Sequence, residues 1–244
     1  MEFFLVASAA FFVAGLVKGV VGFGFPIVAL IILTLSSGLL DALALLVVPP
    51  LLTNVWQAMP GAYLRRIIES MWLYFLLAVA GIIASSQFLD VVDANLLTGL
   101  LGTVLVFYAL SQLFELRLRI ARGHERLLSV FLGGINGLLT GLTGSFMVPS
   151  VLYMQALQFP RDMLVQAMGV FFAISTLTLA LSLTGNGLIT SDDAGWSTAA
   201  LVPSFIGLYG GRYLRHRIDE QRFQTVFLAG VLLLGAYIAW RSFG

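Results

Sequence analysis

Gly15-Leu16-Val17-Lys18-Gly19-Val20-Val21-Gly22-Phe23-Gly24-Phe25-Pro26 stands near the start of the chain, and Gly137-Leu138-Leu139-Thr140-Gly141-Leu142-Thr143-Gly144-Ser145-Phe146-Met147-Val148-Pro149 stands past its middle. The glycines share one spacing. Gly15-x3-Gly19-x2-Gly22 recurs as Gly137-x3-Gly141-x2-Gly144 at an offset of 122, half of the 244-residue chain, and a proline follows each cluster. Further pairs follow in order: Trp72 with Trp196 at an offset of 124, then Gly81 with Gly207 and Asp93 with Asp219 at 126. A slow drift of this kind is what a few loop insertions produce, so the chain reads as a tandem duplication. The repeats are residues 1–116 and 127–244, joined by a basic linker at 117–126.

Composition supplies the solvent. Hydrophobic residues make up 59% of the chain and charged residues 10%, against about 25% charged in an ordinary soluble domain. The apolar residues fall in runs such as 71–89, 94–114, 163–184, 196–211 and 223–240, near the roughly 20 residues that a helix needs to cross a bilayer. They lack the alternation of a membrane β-barrel. The expectation is an all-α polytopic membrane protein with lipid as its surrounding solvent. The first 22 residues carry no basic leader and no small-x-small cleavage site, so they read as retained protein rather than a signal peptide.

Basic residues prefer cytoplasmic loops. Arg65, Arg66, Arg117, Arg119, Arg122, Arg126, Arg161, Arg212, Arg215, Arg217 and Arg222 can all face one side, which leaves only Lys18 and Arg241 of the thirteen. The other loops hold Asp41, Asp90, Asp93, Asp192 and Asp193. This places linker 117–126 in the cytoplasm and both termini outside. It also makes segments 1–40 and 127–158 enter and return, with breaks at Gly22–Gly24 and Gly141–Ser145. Each half then has a broken, hairpin-like helix pair followed by three transmembrane helices. Halves with an odd number of segments joined in tandem are inverted, a recurring plan of secondary transporters.

Non-helical backbone at membrane depth survives only inside protein or against a wet cavity. New helices expected from about residues 25 and 146 would aim free N–H groups and positive dipole ends into the breaks, from opposite sides, as an anion site. Lys18, the only lysine, lies deep in an apolar segment, where charge is costly and suggests function. Its counterpart is Thr140. The expected substrate-binding residues are Lys18, Gly22, Gly24, Asn54, Asn136, Thr140, Thr143, Gly144, Ser145 and Ser175. Asn54 and Ser175 are near-equivalent, because Asp41 and Asp162 align their helices at an offset of 121. Plainer readings stand beside these. Small residues four apart also let helices pack closely, buried amides and hydroxyls also bond between helices, and a lysine can snorkel to the interface. Pro49-Pro50 and Pro203 read as interruptions of other crossings.

Catalysis is not expected. The chain has no cysteine, no His-Glu-x-x-His and no cluster of intramembrane carboxylates, and His124 and His216 fall in basic loops. No metal, cofactor or nucleic-acid partner is implied. A membrane assembly factor would not need two glycine breaks. A channel shares the helix-terminus chemistry of a carrier. Every carboxylate lies in or near a loop, which disfavours proton coupling through a buried one, while Na⁺ binding by carbonyls would leave no trace. Since every helix face is apolar, a homo-oligomeric contact cannot be told from a lipid-facing one.

The two glycine motifs, the half-chain duplication and the basic ends at Arg65 and Arg212–Arg217 together resemble the sulfite exporter TauE/SafE family, also called the toluene sulfonate uptake permease family. The resemblance spans nearly the whole chain. The family pattern carries a fuller glycine run before the proline of each half, which Phe25 and Ser145-Phe146 interrupt here. The resemblance implies a permease of the plasma (inner) membrane for sulfite, a sulfonate or a sulfoacetate-like anion. The residues themselves ask for a small anion and do not choose between sulfonate and carboxylate.

Overall fold

The computed structural model describes residues 2–59, 61–116, 120 and 125–244. The linker arginines Arg117, Arg119 and Arg122, and His124, lie outside the described residues. Among those described the regular structure is helical: α1 (Glu2–Val21), α2 (Phe25–Ser37), α3 (Leu39–Leu45), α4 (Val48–Ala58), α5 (Leu64–Ser86), α6 (Ala94–Leu113), α7 (Glu125–Thr143), α8 (Ser150–Ala156), α9 (Arg161–Gly185), α10 (Ser191–Ala199), α11 (Leu201–Arg215) and α12 (Glu220–Phe243). Five of them (α5, α6, α7, α9 and α12) are long and apolar enough to cross a membrane, or six if the broken pair α3–α4 counts as one span. At 1.5 Å per residue α5 extends about 34 Å, against a hydrocarbon core of about 30 Å. Large apolar side chains such as Leu76, Leu181, Val226 and Leu233 are exposed on these helices, where a water-facing helix would carry polar ones. The chain is a multi-pass membrane protein.

Local chemistry sets several helix ends. The Asp93 carboxylate accepts from the amides of Asn95 and Leu96 at the start of α6, and Asp219 does the same for Gln221 and Arg222 at the start of α12. Thr190 and Asp193 form a reciprocal capping box at α10. The run 196–211, read as one crossing, is divided: α10 stops at Ala199 and α11 begins at Leu201. Pro203 falls in the first turn of α11, and Pro49 and Pro50 in the first turn of α4. There the missing N–H has no helical partner to lose, so these prolines start helices rather than kink them.

The chain forms two compact units, each drawing on both sequence halves. The first comprises residues 1–49, 92–114 and 188–244. In it α1 lies along α11 in parallel: Gly15 faces Ser204 and Leu208, Gly19 faces Leu208 and Arg212, and Gly207 faces Phe12 and Leu16. A methyl at any of these three glycines would overlap the opposing backbone, the close approach by which small residues let helices associate in lipid. α6 and α12 pack antiparallel, with Gly99 against Phe243 and Gly102 against Gly235 and Ala239. Ser197 of α10 ties the α3–α4 break, accepting from the Val48 amide at 2.9 Å and donating to the Leu45 carbonyl at 2.7 Å.

The second unit comprises residues 50–91 and 115–187. Here α7 lies along α5 in parallel, with Gly133 on Tyr74, Gly137 on Ala78, and Gly141 on Ile82 and Ser85. The Phe171 ring of α9 meets those of Tyr74 and Phe75 at 5.3 and 5.9 Å. Gln166 of α9 clamps the turn before α5: its Nε2 donates to the Ala58 and Gly61 carbonyls at 2.9 and 3.3 Å, and its Oε1 accepts from the Tyr63 amide at 3.3 Å.

Candidate functional site: the two helix breaks

The break in the first unit begins at Gly22, whose amide bonds the Lys18 carbonyl at 2.8 Å and so closes α1. Gly22 and Gly24 have φ of 90° and 93°, the left-handed region that a side chain disfavours. The chain then enters α2 at Phe25, with Pro26 in its first turn. Gly24 is the N-cap, and no side chain caps α2. Phe25, Pro26 and Ile27 are all buried, and a buried helix start without a side-chain cap leaves its leading amides in want of an acceptor.

Lys18 lies in the last turn of α1. Its relative exposure is 6%, so the side chain is enclosed by protein and does not extend along the lipid face. It is the one charged side chain that is buried among the described residues. The partial negative charge of the α1 C-terminus favours a cation there.

The break in the second unit opens in the same way: the Gly144 amide bonds the Thr140 carbonyl at 2.8 Å and φ is 71°. It then differs. The return helix α8 starts at Ser150, four residues later than the expected 146. Side chains hold the intervening backbone out of a helix. Asn136 Nδ2 donates to the Phe146 carbonyl at 3.3 Å, Thr140 Oγ1 to the Ser145 carbonyl at 3.3 Å, and Thr143 Oγ1 accepts from the Ser145 amide at 3.2 Å. Ser150 Oγ also donates to the Phe146 carbonyl. Asn136, Thr140 and Thr143 are thus engaged in building the break.

Two expected site residues are placed otherwise. Ser145 and Ser175 are buried, at 3% and 0% relative exposure, and their hydroxyls have no hydrogen-bond partner among the described residues. Ser175 lies three residues after Phe172 on α9, and the Phe172 ring lies 5.2 Å from that of Phe146. A buried hydroxyl left unbonded costs about 1–3 kcal/mol. Asn54 is buried on α4, whose backbone there faces Gly169 of α9.

Lys18, Gly22 and Gly24 therefore belong to the first unit, and Asn54, Asn136, Thr140, Thr143, Gly144, Ser145 and Ser175 to the second. Sequence reasoning missed Ser150 and Ser197. Ser150 directly follows Pro149, a recognisable helix-start position. Ser197 carries no local signal, since its partners lie about 150 residues away. The first unit also holds a cavity of about 40 Å³ lined by Ser8, Phe11, Leu45, Trp196 and Ala200 among others, none of them an expected ligand.

Comparison with curated proteins and with solved structures returned no match. A family model does match, described as Sulfite exporter TauE/SafE, over residues 7–238. Nearly the whole chain is covered, both breaks included, and the protein therefore belongs to the sulfite exporter TauE/SafE family of membrane transporters.

Proposed function

We propose that this transporter is a plasma-membrane permease for a small sulfur-containing anion (sulfite, a sulfonate or a sulfoacetate-like molecule), bound through the glycine breaks. The observation that carries the reading is the pair of buried, unbonded hydroxyls at Ser145 and Ser175. An oxyanion offers several acceptor oxygens to such donors. In the first unit, the uncapped start of α2 offers backbone amides and the positive end of a helix dipole to an anion, with Lys18 in the last turn of α1 before it.

The same reading takes the two halves as inverted repeats, each a broken pair followed by three membrane helices. Asp93 and Asp219, one repeat apart, cap α6 and α12, and these two helices pack antiparallel, as inverted counterparts must. The parallel pairs α1–α11 and α7–α5 correspond in the same way, since α1 matches α7 and α5 matches α11. The described basic ends, from Arg65 and Arg66 to Arg212–Arg222, face the cytoplasm, and both termini face outward. No described Asp or Glu is buried, which argues against coupling through a buried carboxylate.

The test is flux into proteoliposomes of sulfite, methanesulfonate and acetate, for the wild type, Lys18→Ala and Ser175→Ala. Saturable entry of the sulfur anions that weakens in both variants supports the reading. Entry unchanged by either substitution moves the site elsewhere, and the absence of sulfur-anion flux in the wild type removes the substrate class.

A further inference from the structure

The turn between α11 and α12 gathers more positive charge than its own carboxylates answer. Arg212, Arg215, Arg217 and Arg222 stand there against Asp219 and Glu220. Asp219 caps α12 and lies 3.4 Å from Arg222. Arg212 and Arg217 are exposed, and neither meets a carboxylate among the described residues. Each rests on a tyrosine instead. Arg212 lies 6.0 Å from the centre of the Tyr209 ring, and Arg217 lies 4.5 Å from that of Tyr213, to whose hydroxyl it also donates. A guanidinium laid on a ring keeps its charge and keeps N–H donors along its edge for a further acceptor. The basic end of α5 is built differently, since Arg65 is bonded to Glu69 of its own helix at 2.8 Å.

This turn stands at a membrane surface. α12, which follows Asp219 directly, is long and apolar enough to cross, and the Tyr209 and Tyr213 rings are exposed beside the arginines. Aromatic rings and basic groups side by side mark the level of the lipid headgroups, and arginine clusters at a membrane-helix end attract anionic lipid. We propose that the α11–α12 turn binds the headgroup of an anionic phospholipid, with Arg212 and Arg217 on the phosphate and the two tyrosine rings against the glycerol and upper chains. Arginine suits the task because its edge donors match phosphate oxygens two at a time. The turn is braced against α1, where Gly19 backs onto the Arg212 backbone, so an occupied site stabilises the folded first unit by mass action. A zwitterionic headgroup offers the same phosphate with its charge cancelled, and binds weakly. The inference is independent of where the transported anion sits.

Thermal shift of the full-length protein in a neutral detergent tests it, with short-chain phosphatidylglycerol, short-chain phosphatidylcholine and inorganic phosphate as the added probes. The expected result is a saturable rise in Tm with phosphatidylglycerol alone. Arg212→Gln combined with Arg217→Gln should move the midpoint of that rise to about tenfold higher lipid or more, while Arg65→Gln combined with Arg66→Gln leaves it in place. Arg217→Gln alone, at an exposed side chain, should move it severalfold and serves if the double variant is not monodisperse. A midpoint unmoved by the α11 substitutions, or moved equally by the α5 pair, overturns the site in favour of diffuse surface charge. A rise with phosphatidylcholine as large as that with phosphatidylglycerol overturns the selection by charge. A full rise with inorganic phosphate makes this a free-phosphate site and overturns the lipid. Absence of any rise overturns the proposal, and each of these outcomes leaves the anion reading of the breaks untouched.

Discussion

The α1–α2 and α7–α8 breaks share a backbone device and differ in the side chains around it. In each, a glycine with positive φ returns its amide to the carbonyl four residues back, at 2.8 Å in both, and ends an apolar helix. The residue giving that carbonyl is Lys18 in one and Thr140 in the other. The first break is short and leads into a return helix of 13 residues; the second runs through the six non-helical residues 144–149, held by Asn136, Thr140, Thr143 and Ser150, into a return helix of 7. On the repeat reading proposed above, the contrast is divergence after duplication. A turn that only glycine adopts easily is hard to replace, whereas the polar groups beside it are free to specialise. One break acquired a charge, and the other acquired neutral groups that build the turn and leave two hydroxyls to donate.

The largest expected effect comes from the glycines that the two pairs use for contact. Gly19→Leu and Gly141→Leu drive a side chain into the facing backbone of Gly211–Arg212 and of Ile82–Ser86. Each should cost about 3 kcal/mol or more and remove the monodisperse species on gel filtration in detergent. Gly22→Ala provides the contrast, because a Cβ there meets nothing within 4 Å. Only left-handed strain remains, about 1–2 kcal/mol, so folded protein should persist with a lowered Tm. Equal losses at Gly19 and Gly22 would show that the turn and the contact are not separable.

Next in size is the chemical difference. Lys18→Met should weaken sulfite binding by about tenfold or more, the loss of one charge-assisted contact, as read by ligand-dependent thermal shift. Thr140→Val, at the matching position, should instead lower the unliganded stability by about 1 kcal/mol, because it removes the bond to the Ser145 carbonyl. The smallest effect is expected at Ser175→Ala. It deletes an unbonded buried hydroxyl, and should leave the unliganded protein equally stable or up to about 1 kcal/mol more stable while reducing the thermal shift that sulfite produces. A clear loss of unliganded stability would mean that the hydroxyl has a structural partner.

Much of this was legible in the sequence where membrane physics leaves few options. Crossings appear as apolar runs because lipid admits little else, and the first break was marked by Gly22, Gly24 and Pro26 together. The division at Ala200 was not marked, because Ala199, Ala200 and Leu201 are as apolar as a continuous helix would be. The start of α8 was misplaced because the agents that delay it, Asn136 and Thr140, lie on the preceding helix and act through tertiary hydrogen bonds. The pairing of α1 with α11 and of α7 with α5 was hidden for a similar reason. The glycine spacing announces a close contact and does not name the partner. As for the site, the sequence picked out Ser145 and Ser175 among many polar residues at depth, but only the structure separates them from Asn136, Thr140 and Thr143, which serve the backbone.

The most direct test of the central claim is to locate the anion itself. Selenite is a heavier stand-in for sulfite whose anomalous scattering can be placed in crystals of the full-length protein. The account predicts a peak within hydrogen-bonding distance of the Ser145 or Ser175 hydroxyl, or at Lys18 and the leading amides of α2. A peak confined to another place, such as the small cavity beside Ser8 and Trp196, would contradict it and return the glycine breaks to a purely structural role.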